Sequence, residues 1–323
     1  MTDSSNASKS LSLESPRSIS FSQMAAPAAN PFAELGLLPD VVAVTQHLGF
    51  TEPTPIQRGA IPLLVQRKDV IGIAQTGSGK TAAFLLPMLH HILTANEQRR
   101  AYYAVILEPT RELALQVVAV LDEIAQALPG LTVASLVGGL DTTRQAVLLA
   151  KNPMVIVATP GRIADHLRHT KGVAENMSRV RYLVIDEADK LLELDFGAEV
   201  DALLAALPEK RTTALFSATM STKVEKLERA SLRHPVRVQM SEQKYATVET
   251  LRQEYVLTSF NDRDATLVTL LRQLSGKAVL VFTMKCSGCT KLVMLLRQLG
   301  VAAIPLNGKM SQQKRLLALE KFR

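Results

Sequence analysis

The sequence predicts an α/β protein built on a parallel sheet, and three observations carry that expectation. Short apolar runs alternate along the chain with longer amphipathic stretches, as buried strands alternate with covering helices. One run, "DVIGIA" (69–74), passes directly into the glycine-rich turn "QTGSGKT". Another, "YLVID" (182–186), ends in an acidic cluster.

In order, residues 1–30 are rich in Ser, Ala and Asn, lack a continuous apolar core, and read as a disordered tail. Asp3 and Glu14 argue against a secretory or transit peptide. Strands are expected at 69–74, 102–107, 131–137, 154–158, 182–186 and 212–217, with helices such as "RELALQVVAVLDEIAQAL" and "TTRQAVLLA" between them. This makes one lobe of 31–239, and the polar residues 240–250 read as a linker. The alternation then resumes over 251–323: "LRQEYVLT", a helix near 263–274, "KAVLVF" (277–282), a helix near 286–299, "VAAIPL" (301–306), and a helix from Ser311. Open parallel sheets usually hold about five or six strands. The second lobe, with about three, is expected to be incomplete.

Composition sets outer limits. A chain of 323 residues favours two lobes over one, and 47% hydrophobic residues can supply each with a core. The net charge of +7 suits a polyanionic partner. Aromatic residues make up only 4%, with no tryptophan, so a nucleic acid would be held by its backbone rather than by stacked bases. The two cysteines, Cys286 and Cys289, cannot form a disulfide framework, and no apolar run approaches a membrane span.

The turn at 74–81 fits a phosphate loop, although Ala74 stands where the strict pattern has its first glycine. Gly77 and Gly79 let the backbone curl, so that N–H groups of Thr76 to Lys80 and a helix N-terminus face phosphates. Lys80 would reach the outer phosphates, and the Thr81 hydroxyl would ligate Mg²⁺. In "YLVIDEADK", Asp186 can hold the metal and Glu187 can orient or activate water. Together these motifs point to nucleotide hydrolysis.

The ordered set "AQTGSGKT", "PTREL" (109–113), "GG" (138–139), "TPGR" (159–162), "DEAD" (186–189) and "SAT" (217–219) resembles the DEAD-box RNA helicases. "GFTEPTPIQ" (49–57) looks like that family's Q motif, with Phe32 as its isolated upstream aromatic. The resemblance runs from Phe32 to Arg323, and Ala74 is the family's usual residue. It implies a RecA-like lobe followed by a second, incomplete RecA-like lobe, with ATP and Mg²⁺ as cofactors. Gln57 would read the adenine edge beside Phe50, and Thr76, Gly77, Ser78, Gly79, Lys80 and Thr81 would cradle the phosphates. Pro109, Thr110, Arg111, Gly138, Gly139 and the run Thr159, Pro160, Gly161, Arg162 would grip RNA without reading its sequence. Ser217 and Thr219 would link to Asp189 and couple the nucleotide site to strand separation.

In the second lobe "VLVFT" (279–283) and "NGKMSQQKR" (307–315) also match, with Asn307 in place of the family's histidine. The two later arginines that act on the transferred phosphate are not present, so the chain is expected to bind nucleotide better than it turns it over. Stretches such as "FGAEVDALLAALPEK" look like the nucleolar subgroup that processes small-subunit ribosomal RNA. The implied setting is the nucleus, with cytoplasm as the alternative, in a monomer with pre-ribosomal protein partners. The competing reading is an ATP- and RNA-binding clamp with little turnover.

Two patterns imitate other chemistry. Cys286-x-x-Cys289 lacks the flanking tryptophan and central proline of a thioredoxin motif and reads as two ordinary helix residues. His166 and His169 lack a third ligand nearby and read as a solvated helix face.

Overall fold

The computed structural model describes residues 30–95, 100–239 and 252–322. The expected tail and linker lie almost wholly outside them. Seven parallel strands form one sheet: β1 (Val70–Ile73), β2 (Ala104–Leu107), β3 (Val133–Leu136), β4 (Val155–Ala158), β5 (Tyr182–Ile185), β6 (Thr212–Ser217) and β7 (Val236–Gln239). Their order is β3-β4-β2-β5-β6-β1-β7. Six fall within the apolar runs. The seventh had no comparable signal, because on this edge strand only Val238 is buried.

Both faces of the sheet are covered, which is why its strands are apolar throughout. One face packs under α1 (Pro39–His47), α2 (Pro55–Val65), α3 (Lys80–Thr94) and α4 (Arg111–Ala127), around Phe84, Phe216, Ile106 and Val184. The other is covered by α5 (Thr142–Ala150), α6 (Pro160–His169), α7 (Val173–Met177), α8 (Ala188–Glu193), α9 (Gly197–Ala206) and α10 (Thr222–Ser231), around Leu107, Ile156, Ile185 and Leu215. Asp69 ties the strand starts together. Its carboxylate accepts from the Thr213 N–H at 2.8 Å and the Arg233 N–H at 2.7 Å.

Three helices follow: α11 (Arg263–Gln273), α12 (Cys286–Gln298) and α13 (Gln312–Phe322), close to the expected spans. The strands expected between them are absent among the described residues. Phe282 is 91% exposed and Leu257 89% exposed, so these segments have the composition of buried strands without a neighbour to pair with. Among the described residues, no helix is long and apolar enough to cross a membrane.

His166 departs from the expected solvated face. It is buried, with Nδ1 2.8 Å from Thr170 Oγ1 and Nε2 3.3 Å from Gln145 Oε1. α6 lays that side chain against α5, whereas His169 stays exposed beside Asp165. Cys286 and Cys289 are free, half-buried residues of the first turn of α12.

Candidate functional site

In a parallel sheet the strands all end at one rim, and the turns leaving those ends converge there. The motifs at 74–81, 109–113, 138–139, 159–162, 186–189 and 217–219 all lie at strand ends on this carboxyl rim. After β1 the chain turns through Gly77 (φ +84°) and Gly79 (φ +95°) into α3. A β-carbon on Gly79 would sit 2.6 Å from Gln57 Nε2, so this position needs glycine for both its conformation and the close approach.

Gln57 shows why the two segments meet. Its Oε1 accepts from the Thr54 N–H at 2.9 Å, completing the capping box of α2, and its Nε2 donates to the Gly79 carbonyl at 3.0 Å. One amide hydrogen and one oxygen lone pair remain for an adenine edge. Phe50 lies half-buried beside a small apolar cavity of about 90 Å³ that Thr81 also lines, and Phe32 backs it with ring centres 6.3 Å apart.

The acidic turn after β5 faces the loop. Lys80 Nζ is 3.0 Å from Glu187 Oε1 and 3.9 Å from Asp186 Oδ1, with all three side chains buried. Thr76 donates to the same Glu187 oxygen at 3.1 Å, and Lys190 holds the other at 3.0 Å. Glu187 has left-handed backbone (φ +47°), a strained geometry for a non-glycine residue. The Asp186 carboxylate accepts its N–H at 2.8 Å and helps fix that turn.

Burial works against charge on Glu187, but Lys80 and Lys190 overcome it and hold its carboxyl below the usual range. Asp186 goes the other way: burial raises it to about 6 despite Lys80. Glu108, just past β2, is held well above the usual carboxylate range by burial and then by Asp186 and Glu187. Sequence reasoning missed Glu108. Its one signal was a charged residue at the end of an otherwise apolar run.

The "SAT" turn after β6 is tied to the acidic turn. Asp189 Oδ2 accepts from Thr219 N–H at 3.0 Å and from Thr219 Oγ1 at 2.9 Å, while Ser217 Oγ accepts from Asp189 N–H at 3.3 Å. Along the same rim, Thr110 caps α4, and the Arg111 guanidinium lies against Gly138 and Gly139. Arg162 donates to the Leu140 carbonyl and to Thr142 Oγ1, both at 3.0 Å. Thr159 and Pro160 are buried at the start of α6, and Pro109 is buried before α4. Gly161 is exposed with open space around it. The expected residues thus form two adjoining groups, one around the phosphate loop and one around Arg111 and Arg162.

The structure adds a contact from the far end of the chain. Gln312 Nε2 donates to Glu112 Oε1 at 3.1 Å, and Arg111 Nη1 approaches Gln312 Oε1 at 3.4 Å. Arg315 pairs with Glu112 at 2.9 Å. Elsewhere, a cavity of about 250 Å³ beside Tyr102 and Lys171 lies at the opposite rim and contains none of the candidate residues.

Comparison with known proteins places this geometry. Residues 54–227 match the family model described as DEAD/DEAH box helicase. The chain is 48% identical over 292 residues to the ATP-dependent rRNA helicase RRP3 of Mycosarcoma maydis, covering 90% of this chain and 51% of that protein. It is 48% identical over 290 residues to the ATP-dependent RNA helicase DDX47 of Drosophila melanogaster, covering 90% and 56%. The chain therefore spans about half the length of these curated relatives. Among solved structures, the DEAD-box helicase Mss116 bound to ssRNA and UDP-BeF aligns with a TM-score of 0.80 at 27% identity, covering 88% of this chain and 61% of that one. A DEAD box protein from Methanococcus jannaschii aligns with a TM-score of 0.58 at 33% identity, covering 90% and 77%.

Proposed function

The chain belongs to the DEAD/DEAH box helicase family, and we propose that it supplies the ATP-binding and RNA-gripping lobe of an RNA helicase that acts in ribosomal RNA processing. The observation that carries the reading is the Lys80–Glu187 pair at 3.0 Å, which joins the phosphate loop to the acidic turn in one buried site. The names of the relatives support ribosomal RNA as the setting, and with it a nucleolar location and pre-ribosomal protein partners. Residues 31–239 are read as one RecA-like lobe and 251–323 as belonging to a second, within a monomer.

The residues fit a divalent cation. A buried carboxylate, Asp186, stands 3.9 Å from Lys80 of the phosphate loop, Thr81 follows that lysine, and an unpartnered buried oxygen of Glu108 adds acceptor capacity. When bound, Mg²⁺ would neutralise phosphate charge and polarise the transferred group. The protein's own residues do the rest. The N–H groups from Thr76 to Lys80 hold the phosphates, and the free donor and acceptor of Gln57 select adenine. Lys80 exchanges its partner: it pairs with Glu187 at 3.0 Å, and an incoming phosphate would draw it away. That exchange makes the Glu187 carboxylate, still held by Thr76 and Lys190, a better acceptor for a proton of the attacking water. Asp189, held by Thr219, transmits the change to the "SAT" turn. Arg111, Gly138, Gly139 and Arg162 grip the RNA backbone, which suits a surface without aromatic platforms.

Calorimetric titration with Mg-ATP tests the division of labour. Lys80→Ala should weaken binding by about tenfold or more (about 1.4 kcal/mol). Glu187→Gln should leave affinity within about threefold while suppressing single-turnover phosphate release in the presence of RNA. Equal loss of binding in both variants would overturn the assigned roles, and a wild-type chain that binds no nucleotide would overturn the reading.

A further inference from the structure

Glu108 belongs to none of the motifs assigned above, yet one of its oxygens, like Ser78 Oγ, is buried there without a hydrogen-bond partner. It is 1% exposed, and its Oε1 is fully buried with no hydrogen-bond partner among the described residues. A buried carboxylate in that condition costs on the order of several kcal/mol unless something compensates it.

The register shows where it points. Leu107 of β2 lies opposite Ile185 of β5, and the Asp186 N–H continues the ladder by donating to the Leu107 carbonyl at 3.1 Å. Glu108 and Asp186 are therefore side by side on adjacent strands, at the usual spacing of about 4.8 Å. By alternation both side chains fall on the face of Ile106 and Val184, the face covered by α3, whose first residue is Lys80. Asp186 and Glu187 are the first two charges that Glu108 feels after the loss of water, followed by Lys80.

Three acidic side chains, Glu108, Asp186 and Glu187, are buried here beside one buried cation, Lys80, with Lys190 half-exposed at the edge. A divalent cation in this pocket would compensate the acids that Lys80 and Lys190 do not. Yet among the described residues no three acidic, histidine or cysteine side chains converge closely enough to cage a metal directly. A cation here must keep water ligands, as Mg²⁺ characteristically does. Those waters need acceptors, and the unpartnered oxygen of Glu108 is one.

We propose that Glu108 is a positioning residue for the divalent cation of the nucleotide site, accepting a hydrogen bond from one of the cation's water ligands and thereby setting cation affinity. The inference rests on the reading of this pocket as a Mg-nucleotide site. It makes Glu108 a partner of the cation and not of the phosphates. Its carboxyl helps binding when the cation is present and remains an uncompensated buried acid when the cation is absent.

That contrast is the test. Mn²⁺ affinity is measured by electron paramagnetic resonance in the presence of ADP, and ADP affinity is measured by calorimetry with Mg²⁺ and with EDTA. The proteins are the wild type, Glu108→Gln and Glu108→Met. Outer-sphere partners of metals typically contribute about 10–100-fold in affinity. Glu108→Met should bind Mn²⁺ about tenfold more weakly and Glu108→Gln, which keeps a neutral acceptor, less so, while their ADP affinity in EDTA is unchanged or higher. Removing an unpartnered buried acid should leave the fold intact, which the thermal melt checks. Unchanged Mn²⁺ affinity in folded Glu108→Met overturns the proposal. So does a loss of ADP affinity equal with and without cation, or failure of both variants to fold, since each marks a structural role. If the wild type binds neither ADP nor Mn²⁺, the reading of the site fails, and this proposal with it.

Discussion

Replacing Gln57 by alanine separates two roles that one side chain performs. The amide links the start of α2 to the phosphate loop through Thr54 N–H at 2.9 Å and the Gly79 carbonyl at 3.0 Å. Losing the capping interaction costs about 1 kcal/mol. The Gly79 carbonyl keeps a second partner, the Ala83 N–H at 3.2 Å, so it is not orphaned, and its lost bond costs about 1 kcal/mol. The sum, about 2 kcal/mol, corresponds to a fall in Tm of about 4–8 °C for a lobe of this size. Thermal melts without nucleotide should show it. Gln57→Glu keeps the acceptor for Thr54 and loses only the donor, so it should recover about half. With ATP and GTP compared by calorimetry, the alanine variant should also show a narrower preference for adenine. A nucleotide-free melt within about 1 °C of wild type would refute the linking role, and an unchanged preference would refute the adenine role.

The remaining predictions concern pH and RNA. Burial lowers the buried imidazole of His91, whose Nε2 lies 2.8 Å from the Leu64 carbonyl, to about 4. Because the folded value lies below the unfolded one, its share of stability is complete above about pH 6.5 and is lost as pH falls toward 4. Urea midpoints should reveal a loss of about 2 kcal/mol between pH 7.5 and 5, reduced in His91→Gln; equal losses in both proteins would refute the assignment. Arg162→Ala removes the anchor of the Leu140 carbonyl, and it should weaken single-stranded RNA binding similarly for unrelated sequences. The slope of log affinity against log salt should fall by about 0.7, and an unchanged slope would put Arg162 outside the interface.

Much of the site was legible because its chemistry demands residues at fixed places in one order. Gly77, Gly79 and Lys80 must follow a buried strand, and Asp186 must end another, so the pattern survives without a structure. Contacts between distant segments were less readable. Nothing local in Gln57 announces that its second hydrogen bond is to Gly79. Glu108 escaped because a lone acid at a strand end is ambiguous until the register puts it beside Asp186. β7 was invisible because one buried valine among exposed neighbours carries no period. The opposite error arose at "KAVLVF", where composition alone suggested a strand. A strand also needs a partner, and pairing is not written in its own residues. His166 was misread because a helix face is solvated or buried according to what lies against it, here Gln145 and Thr170.

The convergence of the strand-end motifs on the carboxyl rim leaves the amino rim open to alteration. There the chain passes through Gly130 (φ +99°) between α4 and β3 and Gly172 (φ +82°) between α6 and α7, where an added β-carbon would meet nothing within 4 Å. These links are separated from Lys80 and Glu187 by the length of the strands. Splicing a fluorescent reporter or an affinity handle between Pro129 and Leu131 would lengthen the chain at a turn that bears no chemistry. The same domain spliced at Gly139 would intrude on the side chain of Arg111. The direction of a parallel strand thus gives the molecule a working end and a handle.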